Sequence, residues 1–127
     1  MPACRNSRGC VLSPPPDAAT IKVAHGYQGI LGRAADPSGL AAYAKALRTS
    51  GRTLDFCKSL FDSEEFRVNR GALSPEQLAD ALYEGILERP ADPGGRSSTV
   101  AEIRAGRRAN VTSAMLDSAE FRSRFLP

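Results

Sequence analysis

Apolar residues recur at helical spacing along most of the chain, and each such stretch opens and closes on a recognisable signal. Leu78, Leu82, Ile86 and Leu87 form one stripe, and it opens on Ser74, Pro75 and Gln77, a capping box with proline at the first helical position. Ile21, His25, Ile30 and Leu31 form a less regular stripe that Asp17 is placed to cap. Both stripes must end before an Asp-Pro step, because the residue preceding a proline is pushed out of the helical region. Asp36 and Asp92 then cap a second helix that opens on Pro37 or Pro93. Leu40, Tyr43 and Leu47 carry the first of these to Gly51, and Val100 and Ile103 carry the other to Gly106. A third helix holds Leu54, Cys57, Leu60 and Phe61, or Val111, Met115 and Leu116, and stops near Ser63 or Ser118. Phe66 and Phe121 are expected to tuck back into the core. No alternating run of β-branched residues is present, so strands are not expected.

The signals come in pairs because the sequence repeats itself. Tyr27–Arg67, which opens YQGILGRAADPSGL and closes FDSEEFR, aligns with Tyr83–Arg122, which opens YEGILERPADPGGR and closes LDSAEFR, across a single-residue gap. Arg33, Asp36, Pro37, Gly39, Ser63, Glu65 and Phe66 in the first copy match Arg89, Asp92, Pro93, Gly95, Ser118, Glu120 and Phe121 in the second. The expected fold is all-α: two tandem three-helix repeats, six main helices, packed into one compact domain. The first repeat spans residues 17–70 and the second 71–127, behind a flexible, basic, proline-rich tail over 1–16.

Composition narrows the function without naming it. The chain has 127 residues, a net charge of +3 and a pI near 9.0. The basic residues are scattered among acids, however, and only Arg104, Arg107 and Arg108 cluster, so a nucleic-acid partner is disfavoured. No apolar run is long enough to span a membrane, and the first sixteen residues lack the apolar core of a secretory signal peptide, so a soluble protein is expected. Their serines and arginines are compatible with an organelle-targeting remnant or a frayed tail. Cys4 and Cys10 could bridge to each other or meet a partner, whereas Cys57 sits in an apolar helix and reads as a small core residue. Three cysteines and one unsuitably spaced histidine do not make a zinc site.

The shared polar residues admit two readings. Arg33, Asp36 and Glu65, with Arg89, Asp92 and Glu120, would form an ion site if they converged. Alternatively, each has a local helical role, in which the aspartate caps, the glutamate stabilises the start of a closing turn, and the arginine ties them together. The second reading is adopted. DPSGLAAYAKAL lacks the alternate oxygens of a calcium loop, and no glycine-rich Lys-Ser/Thr loop cradles phosphate. Gly39 and Gly95 stand inside a helix, which points to close helix-helix approach there. His25 has no nucleophile near it in sequence, so catalysis is not expected, nor is any cofactor.

The pattern Leu-Gly-Arg-x-x-Asp-Pro-x-Gly-Leu over Leu31–Leu40, followed by Ser-x-Glu-Phe over Ser63–Phe66, resembles the bacterial domain of unknown function 4214 family. It is similar, more distantly, to the linker domains that hold phycobilisome rods together. The resemblance extends over both repeats, from about residue 17 onward, although the second copy has Glu88 for Gly32 and Arg96 for Leu40. It implies an all-helical, non-catalytic module found in extracellular and surface-associated proteins and beside sugar-transfer enzymes, and it brings no catalytic or metal-binding residues. The resulting expectation is an interaction or scaffold module with a protein partner. The alternative is a surface-associated carbohydrate-binding or adhesion module, for which only Tyr27, Tyr43 and Tyr83 supply candidate stacking rings besides phenylalanine.

Overall fold

Asp17 accepts the amide N–H of Thr20 at 3.0 Å and starts α1 (Ala18–Gly26). The computed structural model describes residues 16–127, so the expectations for the tail, Cys4 and Cys10 lie outside the described residues. Asp36 caps α2 (Pro37–Ser50), which Gly51 ends in a left-handed conformation; α3 (Thr53–Phe61) and α4 (Glu64–Arg70) follow. Ser74 and Gln77 complete the expected capping box at α5 (Pro75–Leu82), and Asp92 caps α6 (Pro93–Arg104). α7 (Arg108–Leu116) and α8 (Ala119–Phe125) close the chain. The described residues are all-α, with no strand.

There are eight α-helices among the described residues where the hydrophobic pattern predicts six. The additional two are α4 and α8. Ser63 and Ser118 begin them by accepting the amide N–H of Phe66 and Phe121, at 3.2 and 3.1 Å. A seven-residue helix carries one or two inward apolar residues, Phe66 in α4 and Phe121 with Phe125 in α8, so its cap is its main sequence signal. Phe66 and Phe121 do enter the core.

A second departure lies at Tyr27–Leu31 and Tyr83–Leu87, where α1 and α5 widen into π turns, π1 and π2. Each holds a Tyr-x-Gly-Ile-Leu segment, and the wider turn directs adjacent Ile30 and Leu31, or Ile86 and Leu87, toward the core. The two π turns pack on each other. At their contact a side chain has no room: a Cβ on Gly85 would lie 2.5 Å from Gly29 Cα and 2.6 Å from the Gln28 carbonyl carbon. α3 packs on α7 beside this crossing. Lys22 and Thr53 reach Asp117 Oδ1 at 2.7 and 2.9 Å, while Arg108 donates to the Phe61 carbonyl at 3.3 Å. One buried cluster, including Val23, Ile30, Leu60, Leu82, Ile86 and Leu116, runs through the molecule.

Candidate functional site

The shared polar residues do converge, once around each tyrosine. Arg33 follows π1 and donates from Nε and Nη2 to the two oxygens of Glu65 on α4, at 2.5 and 2.8 Å. Its Nη1 donates to the Ala34 carbonyl at 2.9 Å and lies 3.5 Å from Asp36, and its guanidinium sits 5.3 Å from the Tyr27 ring centre. The same set recurs: Arg89 holds Glu120 at 2.7 and 2.9 Å, lies 3.5 Å from Asp92 and stands 5.2 Å from the Tyr83 ring. Asp36 and Asp92 meanwhile accept the amide N–H of Gly39 and Gly95. A bidentate arginine-carboxylate pair stacked on a ring fixes the loop before α2 or α6 against α4 or α8. The two helical glycines also have their explanation here, though it differs from close helix-helix approach. A Cβ on Gly39 would lie 2.7 Å from the Tyr27 hydroxyl, and the Tyr83 hydroxyl crowds Gly95 in the same way.

These bonds set the electrostatics. Hydrogen bonds from Arg33 and Arg89 hold the Glu65 and Glu120 carboxyls below their ordinary range, and the Gly39 and Gly95 amides do the same for Asp36 and Asp92. A carboxyl depressed by folding contributes stability above its ordinary pKa and loses it as pH falls. The melting temperature is therefore expected to hold level near neutrality and to fall below about pH 4. A pH series of thermal melts checks this, and a rise on acidification would contradict it.

Several residues that sequence analysis passed over have comparable roles. Arg70 donates to the Gly29 and Ile30 carbonyls at 3.1 and 3.3 Å, and Arg124 donates to the Leu87 carbonyl, so each π turn has its open end capped by an arginine from the following short helix. The cluster of Arg104, Arg107 and Arg108 disperses: Arg104 pairs with Glu76, Arg107 with Glu102, and Arg108 lies between the rings of Phe61 and Phe66, 4.9 and 4.8 Å from their centres. Burial pushes the Cys57 thiol up to about 12, with the Asp117 charge adding to it, so Cys57 is an unreactive packing atom. Among the described residues no three His, Cys, Asp or Glu side chains gather as a metal site, and no helix is long and apolar enough to cross a membrane.

One opening lies where the signature is not shared. A cleft of about 380 Å³ is bordered by Ala24, His25, Ala34, Ala35, Leu40 and Glu88. At the positions corresponding to Ala24 and Leu40 the second half has Asp80 and Arg96, which pair at 2.8 and 3.1 Å. Small and apolar residues leave the first position open. His25 is mostly buried against Phe121 and Phe125, and its Nδ1 lies 2.8 Å from the Ile86 carbonyl. A carbonyl only accepts, so Nδ1 is the donor in that bond, while Nε2 lies 3.9 Å from Glu88. Glu88 itself has a φ of 55°, and it is the only non-glycine residue with positive φ among those described. Gly32, its counterpart, takes the same conformation without penalty. Glu88→Gly is accordingly expected to stabilise the fold by about 1 kcal/mol, measurable by chemical denaturation. No gain would mean that the carboxylate compensates for its backbone.

A family model described as a domain of unknown function (DUF4214) matches residues 57–125, just over half of the chain. The match runs from α3 to the end of α8, and residues 17–56 lie outside it. No curated protein matches the chain.

Proposed function

The chain belongs to the DUF4214 family, and on that premise we propose that it is a non-catalytic helical interaction or scaffold module made of two tandem repeats. The observation that carries this reading is the internal use of the shared charges. Arg33, Asp36 and Glu65, and their counterparts Arg89, Asp92 and Glu120, bind one another, a backbone amide or a ring, leaving no nucleophile-base pair in the signature. A linker-like role is part of the same proposal. The carbohydrate alternative has less support: Tyr27 and Tyr83 are buried, and Tyr43 packs edge-on against Phe56 at 5.3 Å.

Recognition is assigned to the cleft beside His25, where an apolar floor meets the Glu88 carboxylate. That chemistry suits a protein partner's side chain bearing N–H donors. The test is a photo-crosslinking amino acid placed at Gln28, on the cleft wall, and separately at Val68, which is 63% exposed on α4. In extracts of the native source, the Gln28 probe is expected to give a discrete crosslinked protein that Glu88→Gln removes, and the Val68 probe is not. Equal crosslinking from both positions, or persistence in Glu88→Gln, would contradict the assignment.

A further inference from the structure

The two halves treat one interior space differently. In the first half Tyr27, Tyr43 and Phe56 form a three-ring cluster, with ring centres 6.0 Å apart for Tyr27–Tyr43, 6.4 Å for Tyr27–Phe56 and 5.3 Å for Tyr43–Phe56. Their counterparts are Tyr83, Thr99 and Val111. Two rings are thus replaced by short side chains, and a cleft of about 250 Å³ opens in their place, bordered by Tyr83, Thr99, Val111 and Met115 with Arg89 and Glu120 at its edge. An apolar cavity of about 150 Å³ suffices for benzene. Thr99 is only 2% exposed, and its hydroxyl forms no hydrogen bond among the described residues, although Thr112 on the neighbouring helix satisfies its own by donating to the Arg108 carbonyl at 2.7 Å. A buried hydroxyl without a partner costs free energy that a ligand's polar group can recover.

We propose that this cleft between α6 and α7 receives a tyrosine side chain presented by a partner polypeptide, in the manner in which the first half receives its own Tyr43. The chain supplies the template: the corresponding pair, α2 and α3, over the matching tyrosine closes on the rings of Tyr43 and Phe56. The Thr99 hydroxyl selects tyrosine over phenylalanine, because only a phenol brings a hydrogen-bonding group to it. The proposal rests on the reading of the chain as an interaction module of two alignable halves, but it concerns a second cleft, away from His25, so crosslinking from Gln28 and occupancy here succeed or fail separately.

The experiment is an amide-shift titration of the intact protein by NMR with N-acetyl-tyrosinamide, N-acetyl-phenylalaninamide and p-cresol. N-acetyl-tyrosinamide is expected to give saturable shifts centred on Thr99, Val111 and Met115, with roughly fivefold tighter binding than the phenylalanine analogue, the size of one net hydrogen bond. Thr99→Val keeps the cleft's shape and should abolish that preference. Thr99→Tyr combined with Val111→Phe should fill the cleft and abolish the shifts. Absence of saturable shifts, an unchanged preference in Thr99→Val, or binding of p-cresol alone, which would mean that the mouth rejects a peptide-borne ring, would each overturn the proposal.

Discussion

Replacing Gly85 with alanine is expected to cost about 3 kcal/mol or more and to lower the melting temperature by roughly 10 °C. The new methyl would meet the backbone of Gly29 and Gln28, which belongs to a helix and cannot swing aside. Relief would require the two π turns to separate, and with them the buried Ile30 and Ile86. Gly29→Ala is a graded control, since its Cβ would meet the Ile86 side chain at 2.7 Å, and a side chain can change rotamer. A cost of about 1–2 kcal/mol is expected there. Denaturant melts of both variants decide the matter, and a neutral Gly85→Ala would mean that the halves do not meet at this crossing.

Phe121→Ala should be comparably severe, at about 3–5 kcal/mol. Phe121 is fully buried, and its ring lies 5.0 Å from the His25 ring and 5.2 Å from that of Phe125. Truncation would empty the space under α1 and release α8, whose carboxylate Glu120 holds Arg89. Val68→Ala, on the exposed face of the short helix α4, should stay within about 0.5 kcal/mol. If thermal melts ranked these two variants equally, α8 would not be a core element.

Much of this architecture is legible in the chain because caps and prolines are local signals. Asp17, Asp36, Ser74 and Asp92 accept the amides that their positions predict. Ser63 and Ser118 are equally legible as caps, yet the helices behind them are too short to register as a stripe. The π turns leave one trace, the doubled Ile-Leu, which helical periodicity reads as part of one α-helical stripe. Pairings between distant residues are a different matter: Arg33 with Glu65 can be anticipated from their joint recurrence, whereas Arg70 and Arg124 cap the π turns from positions that do not align. Nor can the sequence place His25, whose Nδ1–H finds the Ile86 carbonyl only after π1 and π2 have crossed. The clefts are least legible of all, because each is defined by what a matching position lacks.

The most direct test concerns the signature itself, through Arg89→Gln studied on one preparation by thermal melt and by crosslinking from the Gln28 probe. Loss of the bidentate bond to Glu120 and of the contact with Tyr83 is expected to lower the melting temperature while crosslinking per folded molecule stays unchanged, because the proposal gives the charges the work of holding helices and the cleft that of holding the partner. An unchanged melting temperature with crosslinking abolished would contradict it and make the shared arginine a binding residue.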